Sequence, residues 1–144
     1  MSVAYRDAVR TLARLSRLLE AADAGLTVPQ YRMLSTLSEG GLRAARLADR
    51  LAIRKPTATA LADGLVAAGY ATRESEEGDR RIVRLCITDA GRAALDKADS
   101  AFQEQLRPLL RELPDERQFL DALRSIGTAL DARLEIKLHG QEGA

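Results

Sequence analysis

Between Ala44 and Ala68 two short apolar stripes at helical spacing are separated by only four residues, Ala52-Ile53-Arg54-Lys55, and the chain then switches to two-residue alternation. That succession leaves few folds open. Leu47, Ala48 and Leu51 share one face of a helix running from Ala44 to Leu51. Ala58, Leu61, Ala62 and Leu65 share one face of a second, which reaches to about Ala68 before Gly69 stops it. Pro56 suits the first turn of that helix, where a backbone N–H would have no intrahelical partner anyway. Tyr70 to Glu74 and Ile82 to Ile87 then read as strands. In the second, Val83, Leu85 and Ile87 alternate with Ile82, Arg84 and Cys86. The polar segment Ser75 to Arg81 is expected to form a long charged hairpin tip. Two short helices, a tight turn and a hairpin make a winged helix-turn-helix, whose second helix can enter a major groove.

The flanks are helical. Ala8, Leu12, Leu15, Leu19 and Ala22 recur at three and four, with Arg6, Arg10, Arg14 and Arg17 on the other sides, and Gly25 ends the pattern. Thr27 and Gln30 have the spacing of a capping box for a helix that buries Tyr31, Leu34 and Leu37 and ends at Gly40-Gly41. Thr88 caps a long helix with the stripe Ala94, Leu95, Ala98, Phe102, Leu106 and Leu109, which Pro108 should kink. Pro114-Asp115-Glu116 opens a last helix, with its acids at the positive end of the helix dipole. Gly140 to Ala144 should fray. The fold expected is mainly α with a small β-hairpin wing. It is a single winged helix-turn-helix domain over 1–144, with a DNA-binding lobe over about residues 28–88 and dimerisation helices over about 3–22 and 89–138. Leu12, Leu15, Leu123, Ile126, Leu130 and Leu134 are too apolar a set for water, so a second copy of the chain is their expected cover.

Composition narrows the function. A single cysteine, Cys86, and a single histidine, His139, leave no intramolecular disulfide, no zinc site within one chain and no histidine-based catalytic constellation. Neither metal nor cofactor is expected, and the chain does not read as an enzyme. The carboxylates Glu74, Glu76, Glu77 and Asp79 read as a solvated hairpin tip rather than a cation site. No apolar run approaches the roughly 18–20 residues of a membrane helix, and Met1 to Asp7 lacks the pattern of a signal peptide, so a cytoplasmic location is expected. Net charge is only +1, but residues 41–84 carry nine basic groups against six acidic, whereas 85–144 carry eight against eleven. The positive excess lies on the helix pair and hairpin, where a polyanion would be met.

Within that segment Arg54 and Lys55 stand at the start of the second helix, whose N-terminus itself attracts phosphate. Thr57 and Thr59 face outward, with hydroxyls for a base edge or phosphate and methyls for a thymine methyl. Arg80 and Arg81 lie at the hairpin tip, suited to the adjacent backbone or minor groove. A winged helix used for protein–protein contact is the rival reading, and salt-dependent binding of duplex DNA would separate the two.

Gly78-Asp79-Arg80-Arg81, followed by alternation to Ile87-Thr88-Asp89-Ala90-Gly91-Arg92, resembles the wing signature of the MarR family, with Ile87 where leucine is usual. Leu47 to Leu51, Pro56 to Thr59 and Leu65 to Tyr70 are similar to that family's helix-turn-helix. The resemblance implies a sequence-specific, homodimeric transcriptional regulator binding double-stranded DNA, typically a repressor of a palindromic operator. It implies that Arg81 reaches the minor groove while Asp79 holds it. It further implies release by a small effector, often an aromatic or phenolic acid, bound between the dimer helices and the DNA-binding lobe. Two positions depart from the pattern. Ala60 and Gly64 replace frequent arginines, and Arg43 stands at an N-cap where threonine or serine is common, placing another cation on the DNA side.

Overall fold

The computed structural model describes residues 2–141. Its elements run α1 (Val3–Glu20), α2 (Val28–Ser38), α3 (Ala44–Leu51), α4 (Lys55–Ala67), β1 (Ala71–Glu76), β2 (Asp79–Ile87), α5 (Asp89–Arg111) and α6 (Glu116–Gln141). The expected order of helices and hairpin is therefore present. α6 continues through Gly140, which the sequence placed in a frayed end; Glu142 to Ala144 of that expectation lie outside the described residues.

The core belongs to the lobe. Met33, Leu34 and Leu37 of α2, Leu47, Ala48 and Leu51 of α3, Ala58, Ala62 and Leu65 of α4, and Ala71 and Leu85 of the hairpin are all buried. Leu95, Ala98 and Phe102 of α5 close the same cluster. Each of the helical sets repeats at three and four on one face, so a single apolar stripe per helix both specifies the helix and seals the lobe. Local chemistry fixes the boundaries. Thr27 accepts from the Gln30 amide while Gln30 Oε1 accepts from the Thr27 amide, completing the capping box. Thr88 accepts from the Gly91 amide and donates to the Gly69 carbonyl at 2.6 Å, so one hydroxyl starts α5 and fastens it to the end of α4. The α3–α4 turn closes through Ala52, which takes the left-handed conformation (φ 54°) usually left to glycine. Arg32 of α2 donates to the Leu51 carbonyl at 2.8 Å, covering a carbonyl that the end of α3 leaves open.

The hairpin departs from expectation. It has no seven-residue tip: β1 and β2 are joined by Glu77-Gly78 alone, with Gly78 at φ 93°. Pairing is regular from Ala71↔Ile87 to Ser75↔Val83, then jumps to Glu76↔Asp79. Arg80, Arg81 and Ile82 lie between those partners as an excess on β2, so the arginines leave the ladder as a bulge rather than as a loop. Alternation could not foresee this, because charged residues near a glycine read equally well as loop or bulged strand. A short bridge between Leu42 and Leu85 also pins the hairpin to the segment before α3, with N–O distances of 2.8 and 3.0 Å.

α5 ties the lobe to the outer helices. Tyr31 of α2 donates a hydrogen bond to Asp99 and packs edge-on against Phe102, ring centroids 4.9 Å apart. Burial and the neighbouring Asp99 carboxylate push the Tyr31 phenol from 10.0 up to about 12. A proton held more tightly in the folded state stabilises fully below the unfolded value and is lost as pH climbs through the folded one. Melting curves taken from about pH 8 to about pH 11 should therefore show a steeper alkaline loss of stability in the wild type than in Tyr31→Phe. Parallel curves would mean that this phenol titrates alike in both states.

The outer helices are differently placed. Among the described residues α1 has none buried, and α6 buries Leu138 against the lobe. Leu12, Ile126 and Leu130 are 56%, 54% and 57% exposed, and Leu123 is exposed too, while Leu15 and Leu134 are half-buried. One chain thus leaves most of the predicted dimerisation stripe open.

Candidate nucleic-acid interface

The residues singled out from sequence fall into two groups on one lobe. Arg54 is the N-cap of α4 and Lys55 its first residue, with Pro56 behind them. Arg54, Lys55, Thr57 and Thr59 are all exposed, whereas Ala58, Ala62 and Leu65 of the same helix are buried. Arg54 makes no side-chain cap and no acidic residue lies in the first turn, so the first amide groups of α4 and two cations face outward together. Such an end is built to receive an anion.

The second group is the wing tip. Asp79 accepts from the Arg81 backbone amide at 3.0 Å and from Arg81 Nε at 3.2 Å. These bonds hold its carboxyl below the usual carboxylate range. The Arg81 side chain is otherwise 92% exposed. Asp79 therefore orients the guanidinium by its inner edge and leaves the outer one free to donate. Arg80, beside it in the bulge, is exposed as well.

Three features linking these groups escaped the sequence. Asp63 of α4 pairs with Arg73 of β1, joining the far half of the helix to the first wing strand. Ala44, Leu47, Ala58, Thr59, Ala62, Arg73, Val83 and Leu85 enclose an apolar groove of about 320 Å³ between α3, α4 and the hairpin. Arg43 is not an isolated cation: its Nη2 lies 3.4 Å from Glu76 Oε2, and the other oxygen of Glu76 accepts from Arg84. Charge counts reveal such pairs only when the strand register is known. The carboxylates of the hairpin are accordingly not uniformly solvated, since Glu76 and Asp79 are both engaged by arginines. Among the described residues no group of histidine, cysteine and carboxylate side chains could hold a metal ion.

Cys86 is half-buried on β2, and burial with the adjacent Glu74 pushes its thiol up. A raised thiol keeps little thiolate at neutral pH, so Cys86 is a poor nucleophile in this setting. His139 is exposed, its Nδ1 2.8 Å from the Glu135 carbonyl oxygen one turn earlier.

Known proteins are similar to this chain in sequence and fold. Residues 24–82, from the start of the lobe core to the wing bulge, match the MarR family. The HTH-type transcriptional regulator TtmR of Methylorubrum extorquens is 34% identical over 109 residues, covering 75% of this chain and 56% of that protein. This chain thus spans little more than half of TtmR. The HTH-type transcriptional regulator PecS of Dickeya dadantii is 28% identical over 120 residues, covering 76% of this chain and 72% of its own length. The crystal structure of AbsC, a MarR family transcriptional regulator from Streptomyces coelicolor, superposes with a TM-score of 0.65 at 25% identity, over 92% of this chain and 97% of that one. Through its helix-turn-helix and the wing that follows, residues 24–82, this chain matches the MarR family, and over three quarters of its length it is similar to transcriptional regulators of the helix-turn-helix type.

Proposed function

We propose that this protein is a sequence-specific transcriptional regulator that binds a palindromic operator as a homodimer, acting as a repressor in the cytoplasm. The observation that carries the reading is the uncapped, cationic N-terminus of α4 beside a wing tip whose Arg81 is oriented by Asp79 yet 92% exposed. In this reading α4 lies in the major groove. Thr57 and Thr59 meet base edges, Lys55 and Arg54 meet phosphates, and Arg80 and Arg81 follow the backbone into the minor groove. No recognition-helix arginine is available at Ala60 or Gly64, so the wing carries a large share of the affinity.

The open stripe of Leu12, Leu123, Ile126 and Leu130, with Leu15 and Leu134 at its edges, supports the dimer. A two-fold axis lets one such stripe cover its own copy. For an aromatic or phenolic acid effector held between the lobe and a dimer helix, the cleft of about 460 Å³ lined by Leu42, Arg46 and Arg50 on the lobe side and Leu134 and Leu138 of α6 offers apolar and cationic walls.

Arg81→Ala tests the central assignment. Its side chain makes no packing contribution that its exposure would reveal, so the melting temperature should hold. Affinity for DNA from the chain's own upstream region should fall by roughly 1–3 kcal/mol in an anisotropy titration. Equal affinity of variant and wild type would remove the wing from the interface.

A further inference from the structure

We propose that Glu76 is a specificity-determining positioning residue, a carboxylate that holds the wing at a fixed reach from α3 and keeps Arg43 and Arg84 from indiscriminate phosphate contact. The proposal rests on the DNA-binding reading above.

A carboxylate on a DNA-facing surface opposes the attraction that the neighbouring cations supply, so its place there needs another physical account. Glu76 uses both oxygens. Oε1 accepts from Arg84 Nε at 3.1 Å and from Arg84 Nη2, while Oε2 faces Arg43 Nη2 at 3.4 Å. The third nitrogen of Arg84 lies 3.5 Å from the Gly41 carbonyl oxygen, one residue before the Leu42–Leu85 bridge. The three side chains thus span β1, β2 and the segment that opens α3.

Their position in the register matters most. Glu76 is the point at which the ladder jumps from Ser75↔Val83 to Glu76↔Asp79, leaving Arg80, Arg81 and Ile82 without ladder partners on β1. Backbone pairing cannot fix the direction of such a bulge, so side chains must do it. Glu76 is the cross-strand partner of Asp79, which orients Arg81, and the Arg43 charge acts on both carboxylates. The chain of contacts runs from the N-cap of α3 through Arg43 and Glu76 to Arg84. The charge of the same Arg43 also acts on Asp79, whose carboxylate holds Arg81. The Glu76 side chain is 30% exposed and those of Arg84 and Arg43 are 43% and 55% exposed, so a phosphate could draw either guanidinium away if the carboxylate were missing.

Removing the charge should act on discrimination more than on fold. Full-length wild type and Glu76→Gln are titrated, over a range of salt, against two duplexes. One is selected by the wild type from a randomised library; the other has the same composition in scrambled order. Glu76→Gln should bind the scrambled duplex more tightly, with a salt slope steeper by roughly 1, because one opposing charge has gone. The preference for the selected duplex should fall by about tenfold or more as Arg81 loses its fixed reach. The double variant Glu76→Gln with Arg43→Gln should regain the wild-type slope while the preference stays low. Thermal melting is followed in parallel. An unchanged preference and slope in folded Glu76→Gln would overturn the proposal. A parallel loss on both duplexes with a lowered melting temperature would overturn it too, in favour of a purely structural cluster. A wild type that binds duplex DNA without telling the two apart, or not at all, would overturn the DNA-binding reading and this proposal with it.

Discussion

Leu130→Asp should convert the protein to monomer and abolish high-affinity operator binding while leaving the lobe folded. Leu130 is 57% exposed in a single chain, so aspartate there meets water and costs the monomer within about 0.5 kcal/mol. In the proposed dimer the same side chain is covered by its symmetry mate. Each buried leucine contributes roughly 1.5–3 kcal/mol, and two-fold symmetry removes two of them at once. Burying the new carboxylates opposite each other adds a further cost. The dimer dissociation constant should therefore rise by about 100-fold or more. A single lobe then holds one half-site without the gain from its linked partner. Sedimentation velocity reads the first effect and anisotropy titration the second, with Lys55 and Arg81 untouched. A variant that stays dimeric would show that the interface lies off this stripe.

Gly91→Ala should be the more damaging change to the fold, against the direction helix propensity gives. Alanine inside a helix is favoured over glycine by about 1 kcal/mol. Gly91, however, is buried in the first turn of α5, where a Cβ would stand 2.0 Å from the Tyr70 carbonyl oxygen and 2.9 Å from Ile87 Cγ1. Both groups are held. The Tyr70 carbonyl accepts from the Thr88 amide at 3.0 Å, and Thr88 in turn is bound to Gly69 and Gly91. A Cβ facing a main-chain carbonyl has no rotamer to escape into, so the start of α5 must move away from the end of α4. A net loss of roughly 2–4 kcal/mol follows, or roughly 4–16 °C in melting temperature for a domain of this size. A melting temperature equal to or above the wild type's would refute the close approach.

This glycine also shows what the sequence could disclose. The Thr88-Asp89-Ala90-Gly91 pattern marked the start of a helix through its cap and its likeness to a family signature. The reason for the glycine lay in a carbonyl 21 residues earlier, which only the packed structure brings near. The same division runs through the molecule. Helices α2, α3, α4 and α5 were legible because each carries one apolar stripe at a spacing of three and four, with Thr27, Pro56 and Thr88 marking where to begin. On α6, Leu123, Ile126 and Leu130 have the same spacing yet stay exposed, since periodicity names a face and not the surface that covers it. Leu138, which α6 does bury, stood outside the stripe read from sequence. At the interface, Lys55, Thr57, Arg80 and Arg81 could be named because outward polar residues on a short helix and a hairpin are visible in one dimension. The Asp63–Arg73 and Glu76–Arg84 pairs could not, because they depend on strand register, and a bulge of three residues hid that register.

In the proposed dimer two copies of this winged lobe read one duplex about a two-fold axis. The most direct measurement is a hydroxyl-radical footprint of the wild type on the duplex it selects from a randomised library. It should show an inverted repeat with half-site centres about 10 bp apart on one face of the DNA, flanked by symmetric minor-groove protection where the two Arg81 side chains reach. Enrichment of no sequence, or a protected site without dyad symmetry, would contradict this arrangement.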